Sequence, residues 1–499
     1  MKTRRLISIC VCMIWTIFAS AYDFSEKNKE GVMLYYTDVE EGFCEVAQGP
    51  DNYEGKLVIP EIANGRIVVG LGVRAFEHTG LKSIVLPNTI LYISPLAFVE
   101  CYDLKTVDLG NSLMFIGEMA FGGCFSLNEL KIPESVEYCG YFAFSACGIK
   151  RPLYNSHYFL YFPRGYAENY TIPGGIETIG VSAFSGTTRL KSVTFPKSLK
   201  RIEEYAFDAS SITSLNLPSS LISIGDNAFG QCHDLRTSVT IPASVTEMGE
   251  YIFYASDITG CEFQNSFEKL PNGTFASCSE LKEVHLPENL KAIGEFAFAG
   301  DKRLTRYNLP ERLDSIGRRA FWECELIKSF TVPEGVKRLE ELTFCECENL
   351  KSITLPSTLE YLGSWSIMGC PSLESITLPK RLSSIDLSAL GHNKALKDVY
   401  VSWKEPITDL NDPFNNSFSS AWDAPYAATL HVPRGTKQLY AKAPIWKNFL
   451  NIVEDVSTDI PTYYYTETKP QKVFSDGKVM IRKNNEFYDA SSGIKIMHK

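Results

Sequence analysis

The sequence predicts a mainly β repeat solenoid of about 14 stacked coils. The first observation is self-similarity: "LKSITLPSTLEYLGSWSIMGCPS" begins at Leu350, and "LESITLPKRLSSIDLSALGHNKA" follows from Leu373. The second is that each unit of about 23 residues opens with a short alternating apolar segment, which is typical of a strand. The third is the small size of each unit. One unit buries too little apolar surface to be stable alone and must pack against its copies.

Residues 1–21 are predicted to be a secretory signal peptide. Three basic residues precede an apolar run from Leu6 to Phe18, and Ala19-Ser20-Ala21 supplies a small-residue cleavage site. The run is too short to span a bilayer, although a retained anchor helix is the alternative. No later stretch is apolar enough to cross a membrane, so we expect a secreted or cell-surface chain without an integral membrane segment after cleavage.

The chain is acidic. Three of its 49 basic residues lie in the leader, so the mature chain keeps 46 basic against 59 acidic residues. Such a chain has no general electrostatic reason to bind nucleic acid or anionic membranes, and nucleic acid is not predicted as a partner. The hydrophobic share of 44% and the charged share of 22% fit a folded chain.

Residues 22–53 are expected to form an N-terminal cap and residues 54–401 the coils, with the consensus L-x-x-I-x-L-P-x-x-L-x-x-I-G-x-x-A-F-x-x-C-x-x. Proline at position 7 should end the first strand, because it cannot donate to a ladder. Glycine at position 14 is expected to supply the freedom for a bend. The aromatic residues at position 18 should form a continuous interior column. The predicted column comprises Phe76, Phe98, Phe121, Phe144, Phe184, Phe207, Phe229, Phe253, Phe275, Phe298, Phe321 and Phe344, then Ile367 and Leu390.

The coil length and the L-x-x-L-x-L strand are typical of leucine-rich repeats. The I-x-L-P, I-G-x-x-A-F and x-x-C pieces resemble the BspA-type leucine-rich repeats of secreted bacterial surface proteins, over roughly residues 54–455. The stretch "LHVPRGTKQLYAKAPIWKNFLNIVED" resembles the exit cap of such chains. The resemblance implies adhesion to host proteins, other cells or surfaces, and a place on the outer surface of a Gram-negative bacterium.

One insertion, 149–170, interrupts the period and is rich in aromatic residues. Tyrosine offers a large contact area at low entropic cost, so an aromatic insertion on a regular scaffold suits a partner-binding surface. Packing onto an irregular coil is the alternative. The candidate partner-binding residues are Tyr154, Tyr158, Tyr161, Tyr166 and Tyr170.

Two further segments without the repeat are expected after residue 401. Residues 402–455 are predicted to form an irregular loop and a C-terminal cap, in which Trp403 and Trp422 are either cap packing or ligand platforms. Residues 456–499 read as a linker and a small β module, with strands near 472–474, 479–482, 486–488 and 494–497. This module is similar to the C-terminal sorting domains that Bacteroidetes use for secretion; an ordinary terminal module is the alternative.

The cysteines recur near repeat position 21, which favours a column of buried free thiols over a disulfide framework. Where cysteine is missing, Thr187, Ala209, Ala255 and Asn393 are expected to stand in, with Asp301 as a charged exception.

The sequence offers no catalytic signature. It contains no Walker loop, no H-E-x-x-H and no G-x-S-x-G, and its histidines are scattered. We therefore predict a non-enzymatic protein without catalytic, cofactor-binding or metal residues. Its partner would be an extracellular protein or a cell-surface macromolecule. The alternative is a glycan-binding protein of a nutrient-capture system.

Overall fold

The computed structural model describes residues 22–415 and 426–456 in full, and the backbone of 471–475, 478–483 and 486–489. The predicted signal peptide, Trp422, the linker and the predicted strand at 494–497 lie outside these residues.

The chain folds into a mainly β solenoid of about 18 turns with almost no helix, which confirms the predicted fold class. The predicted count of about 14 coils is too low. The sequence count required a recognisable consensus, whereas strands before Leu81 and after Leu396 continue the same ladders. The insertion 149–170 also contributes a strand to the stack.

Two ladders of parallel strands follow the solenoid, because most coils contribute one short strand to each; the first is divided into four hydrogen-bonded sheets and the second into three. The strands of the first ladder are β4 (Glu54–Val58), β7 (Gly80–Val85), β9 (Thr106–Asp108), β14 (Asn169–Thr171), β16 (Ser192–Thr194), β19 (Ser238–Ile241), β21 (Gly260–Phe263), β23 (Glu283–His285), β25 (Arg306–Tyr307), β27 (Ser329–Thr331), β29 (Ser352–Thr354), β31 (Ser375–Leu378), β33 (Asp398–Val401), β34 (Thr429–Pro433) and β35 (Asn451–Val456). The strands of the second ladder are β6 (Arg66–Leu71), β8 (Tyr92–Ile93), β10 (Phe115–Ile116), β11 (Tyr138–Cys139), β13 (Tyr158–Tyr161), β15 (Thr178–Ile179), β17 (Arg201–Ile202), β18 (Ser223–Ile224), β20 (Glu247–Met248), β22 (Lys269–Leu270), β24 (Ala292–Ile293), β26 (Ser315–Ile316), β28 (Arg338–Leu339), β30 (Tyr361–Leu362) and β32 (Ser384–Ile385).

Antiparallel strands and short helices occur at the ends and at the insertion. The strands β1 (Phe24–Lys27), β2 (Met33–Glu40) and β3 (Phe43–Ala47) form a meander whose last strand joins β6 in parallel. Single antiparallel partners are β5 (Ile62–Ala63) beside β6 and β12 (Leu153–Tyr154) beside β13. The C-terminal end carries helix α1 (Lys437–Tyr440) and a 3-10 helix (Trp446–Asn448). A separate antiparallel sheet contains β36 (Gln471–Ser475), β37 (Lys478–Lys483) and β38 (Glu486–Asp489).

Trp403 belongs to the packing of the C-terminal end. Its ring lies edge to face with that of Trp446, with centroids 5.8 Å apart, and its indole N–H donates to the carbonyl of Lys380. The indole is therefore buried in the packing of the cap and is not an exposed ligand platform.

The predicted aromatic column is present inside the coils. Phe98 stacks on Phe121 with ring centroids 5.1 Å apart, and Phe298 stacks on Phe321 at the same spacing. The backbone N–H of most stacked rings also donates to a carbonyl of the next coil, as Phe98 does to Ala120 at 2.8 Å. The column and the ladders therefore reinforce one another along the stack.

The role predicted for the position-14 glycines is wrong. Gly117 does not lie in the left-handed region, but a Cβ on it would lie 2.4 Å from the backbone nitrogen of Pro95 in the preceding coil. Glycine is needed here for the close approach of two coils. The bend is made by larger residues in the left-handed region, such as Met119 with φ 47° and Phe142 with φ 53°. Cross-coil hydrogen bonds hold them there: the Met119 N–H donates to the Tyr141 carbonyl at 2.9 Å.

The position-21 slot requires a small hydrogen-bond donor. The thiol of Cys124 donates to the Phe98 carbonyl at 3.1 Å, and the pattern repeats through the column. Thr187 is in the slot as predicted, with its hydroxyl donating to the Phe184 carbonyl. Ala209 and Ala255 are not: Ser210 and Ser256 fill those slots, because alanine has no donor. All twelve cysteines of the described residues are free, which confirms the thiol column.

Asp301 is the exception in this column. It is fully buried; its Oδ1 accepts the N–H of Cys278 at 3.0 Å, and its Oδ2 has no hydrogen-bond partner. Burial raises the pKa of this carboxyl well above its usual value. Because burial disfavours the charged carboxylate, the slot favours the protonated form of Asp301, which carries a proton as the neighbouring thiols do.

Candidate functional site

The insertion 149–170 does not protrude from the solenoid but forms a coil of its own. Its strand β13 pairs in parallel with β15, with Tyr158 opposite Thr178. On the other side, β12 folds back on it as a hairpin. The insertion therefore has a structural role as well as any role in binding.

The five candidate tyrosines are dispersed by this coil. Tyr154 and Tyr166 are exposed, with relative accessibilities of 42% and 43%. Tyr161 and Tyr170 are half-buried, and Tyr170 packs edge-on against Phe162. Tyr158 is buried at 3% and its ring covers Gly180. Of the five, Tyr154 and Tyr166 are the most exposed to solvent.

The insertion also separates two hydrophobic cores. Tyr158 and Leu160 belong to the core that begins at Leu34, whereas Phe159 belongs to the core that continues to Ile452. The aromatic column is offset at the same place: Phe144 meets Tyr161 at a tilt of 51°, and the stack resumes between Phe159 and Phe184 at 4.8 Å. The coils on the two sides are therefore not packed continuously.

A cleft of about 370 Å³ opens at this joint, and we call it the joint cleft. It lies between the coil at 139–149, the insertion at 160–165 and the next turn at 181–185. Its apolar lining includes Phe142, Phe144, Leu160, Tyr161, Pro163 and Val181, and its polar side chains are Ser145, Arg164, Ser182 and Ser185. This mixture of apolar walls and a few polar groups is the usual composition of a ligand pocket.

Arg164 is the only charged residue among those that line the joint cleft. Its guanidinium lies over Gly186, where a Cβ would come within 3.1 Å of Nη2. No carboxylate among residues 22–415 and 426–456 pairs with it. Burial raises the pKa of the neighbouring Tyr161, an effect that the positive charge of Arg164 opposes. The cleft therefore has a positive rim in an acidic protein.

Exposed aromatic residues form a second feature on the coils before the insertion. Tyr102 and Phe125 occupy the same repeat position in successive coils and stack with centroids 5.5 Å apart. They are 49% and 59% exposed. The Tyr102 hydroxyl donates to Glu100 at 2.5 Å. We call this feature the aromatic pair.

The reactive side chains of the described residues are mostly isolated or buried. No group of three or more His, Cys, Asp or Glu side chains there can hold a metal ion. Burial raises the pKa of the Cys44 thiol to about 11 and that of Cys232 to about 12, so these thiols are not nucleophiles at neutral pH. His431 lies between Asp398 and Asp455 at 3.0 and 2.9 Å, but this cluster belongs to strands β33 to β35 of the C-terminal end.

Many charged side chains on the solenoid surface are paired across coils. Arg303 meets Glu280 at 2.6 Å, and Lys291 meets Glu268 at 2.6 Å, each reaching from one coil to the coil before it. A surface of mutually paired charges is well solvated and is a poor binding site in itself.

Sequence reasoning missed the joint cleft and the aromatic pair for different reasons. The aromatic pair was detectable, because aligning the repeats places Tyr102 and Phe125 in one column. The cleft was not, because it depends on how strand β13 replaces a regular coil between Cys139 and Val181.

No helix of the described residues is long and apolar enough to span a membrane. No curated protein matches the chain, but several solved structures do. One is a leucine-rich repeat protein from Bacteroides ovatus ATCC 8483 with 25% identity, covering 74% of this chain and 96% of that one at a TM-score of 0.42. Another is a leucine rich cell surface protein from Faecalibacterium prausnitzii A2-165 with 20% identity, covering 77% and 96% at a TM-score of 0.40. A third is the pneumococcal vaccine antigen PcpA with 17% identity, covering 88% and 100% at a TM-score of 0.38.

The family model for the BspA type leucine rich repeat region matches in six copies, over residues 69–148, 155–281, 200–327, 268–398 and 314–420. These matches span well over half of the 499 residues and follow the ladders of the solenoid. The chain belongs to the family of BspA-type leucine-rich repeat proteins, as its repeats predict.

Proposed function

We propose that the protein is a non-enzymatic, secreted or cell-surface leucine-rich repeat protein that mediates adhesion by binding an extracellular protein. The observation that carries the proposal is the aromatic pair. Tyr102 and Phe125 expose large rings on a rigid scaffold, next to the carboxylate of Glu100. Exposed rigid aromatic side chains are frequent hot spots of protein interfaces.

The non-enzymatic part of the proposal is supported by the burial of the reactive side chains. The cysteines of the thiol column donate to backbone carbonyls inside the coils, as Cys324 does to Phe298 at 3.1 Å. Binding through shape and many weak contacts is what a stacked-coil surface offers.

The first test is a binding measurement. The double variant Tyr102→Ser/Phe125→Ser and the matched control Lys302→Ser/Glu325→Ser, which alters the same repeat position, are compared with the parent chain on a panel of immobilised extracellular matrix proteins. Saturable binding that the first variant loses at least 10-fold, while the control keeps it, supports the proposal. Absence of saturable binding by the parent chain, or equal losses in both variants, contradicts it.

The tyrosines of the insertion are tested in the same assay. Tyr154→Ser/Tyr166→Ser removes the two rings that are exposed, without deleting a coil that the solenoid needs. Loss of binding in this variant alone would place the contact at the insertion instead of at the aromatic pair.

Export is proposed to depend on both ends of the chain. We expect cleavage after Ala21 and retention of the chain on the surface through the β module within residues 456–499. N-terminal sequencing of the exported protein checks the first expectation. A chain that ends at Asp455 checks the second: unchanged surface display would exclude a sorting role for the module.

A further inference from the structure

We propose that the joint cleft binds a sugar ring that carries a carboxylate, such as a uronic or sialic acid. The juxtaposition that carries the inference is one guanidinium, three unpaired serine hydroxyls and an aromatic wall around one cleft. This site is separate from the aromatic pair, so the inference goes beyond the proposed adhesion function.

The volume of the cleft suits a compact ligand. At about 370 Å³ it lies at the lower end of the range of small-molecule pockets, which is roughly 300–1,000 Å³. The cleft exists because the insertion replaces a regular coil, and regular coils of this solenoid are filled by their own aromatic column. The space is thus a product of the joint and not of the repeat.

The charge of the cleft selects an anion. Arg164 is exposed, has no carboxylate partner among the described residues and lies over Gly186. The N–H groups of its guanidinium are therefore available to a ligand. A guanidinium binds a carboxylate through two parallel hydrogen bonds, which gives orientation as well as affinity. No acidic side chain of the described residues lines the cleft to compete for it.

The hydroxyl groups of the cleft favour a sugar over an apolar acid. Ser182 is nine-tenths buried and its hydroxyl has no hydrogen-bond partner. Ser145 and Ser185 are half-buried, and their hydroxyls make no hydrogen bond to the described residues. A hydroxyl both donates and accepts, so a cluster of three complements the hydroxyls of a sugar.

The wall of the cleft supplies the apolar surface that a sugar ring requires. Phe142 is 43% exposed and lies in the left-handed region at φ 53°, held by the turn of its coil. Tyr161 is half-buried on the opposite segment. The face of an aromatic ring is electron-rich and attracts the polarised C–H groups of a sugar.

The experiment is titration calorimetry of the full mature chain with four small probes: methyl glucuronide, methyl N-acetylneuraminide, methyl glucoside and phenylacetate. We expect binding of at least one acidic sugar, no measurable binding of the neutral glucoside, and at most weak binding of phenylacetate. Binding of the glucoside as tight as that of the acidic sugars, tighter binding of phenylacetate, or no binding of either acidic sugar overturns the inference.

Variants locate the site. Arg164→Gln should weaken the acidic sugar at least 10-fold, and Ser182→Ala should weaken it about threefold. The matched control is Arg151→Gln, an exposed arginine of the same insertion that does not line the cleft, and it should bind as the parent does. Unchanged affinity in Arg164→Gln, with circular dichroism identical to the parent, overturns the inference. The two proposals are tested with different ligands, small sugars here and proteins in the adhesion assay. Either proposal can therefore fail without the failure of the other.

Discussion

The coils before the insertion and the coils after it have the same backbone arrangement but expose different side chains. At one repeat position the earlier coils place Tyr102 and Phe125, which stack, whereas the later coils place Lys302 and Glu325, which form an ion pair at 2.7 Å. No lysine within residues 81–147 pairs with a carboxylate of the described chain, but the later coils carry a series of ion pairs between successive coils.

The difference shows that the repeat constrains the interior and leaves the surface free. Phe98 and Phe298 fill the same slot and stack in the same way on both sides of the joint. Their N–H groups make the same bond to the next coil. Ring stacking and ion pairing are therefore alternative surfaces on a common core, and surface composition separates a contact region from a solvated one.

The largest expected effect comes from breaking the aromatic column on either side of the joint. Phe121→Ala and Phe298→Ala should each cost roughly 3–5 kcal/mol, because each leaves a large cavity in a fully buried column. Since the cores divide at the insertion, we expect each variant to lose amide protection mainly on its own side. Hydrogen exchange by mass spectrometry measures this. Equal loss on both sides would show that the two cores unfold as one.

A second variant pair tests the close approach of coils. Gly117→Ala and Gly317→Ala each place a Cβ within 2.4 or 2.6 Å of the preceding backbone, so each should destabilise the chain by about 1–3 kcal/mol. Gly165→Ala is the control, because a Cβ there meets nothing within 4 Å. Urea unfolding gives the values. Tolerance of alanine at either glycine would contradict the close approach of coils as the reason for this residue.

The thiol slot offers a variant that should stabilise the later coils. Asp301→Cys restores the donor of the repeat and removes a buried carboxyl with an unpaired oxygen, for a gain of about 1–3 kcal/mol at neutral pH.

The pH dependence of that gain follows from the direction of the shift. The folded pKa of Asp301 is raised above the usual value of the unfolded chain, so its contribution to stability is fully present below the usual value and is lost as the pH rises through the folded pKa. The advantage of Asp301→Cys should thus grow from pH 4 to pH 7.5 in thermal melts. An advantage independent of pH would contradict a raised pKa.

The smallest effect is expected at the surface position that distinguishes the two regions. Lys302→Ser/Glu325→Ser should change the free energy of unfolding by less than about 1 kcal/mol, since the pair is exposed. Tyr102→Ser/Phe125→Ser should be similarly mild. Differential scanning calorimetry checks both variants. A large loss of stability in the aromatic variant, well beyond that of the ion-pair variant, would mean that the aromatic pair is structural.

The strands, the column and the thiol slot could be predicted from sequence because each is set by local spacing. A constant period brings equivalent residues such as Phe98 and Phe121 into contact in any stack of coils. The expectations that failed concern neighbouring coils. The pattern predicts a bend at Gly117 and places Ala209 in a slot that Ser210 fills, because the sequence does not show how far one coil lies from the next.

Periodicity alone was enough to establish a leucine-rich repeat solenoid with a phenylalanine column and free thiols, because these properties recur once in each coil. The role of the insertion as a coil, the burial of Tyr158 beside an exposed Tyr154, and the position of Arg164 at a cleft became known only from the folded chain. The insertion occurs only once in the stack, so no equivalent coil in the sequence indicates how it packs. Its packing depends on contacts between residues that are distant in the sequence and occur once.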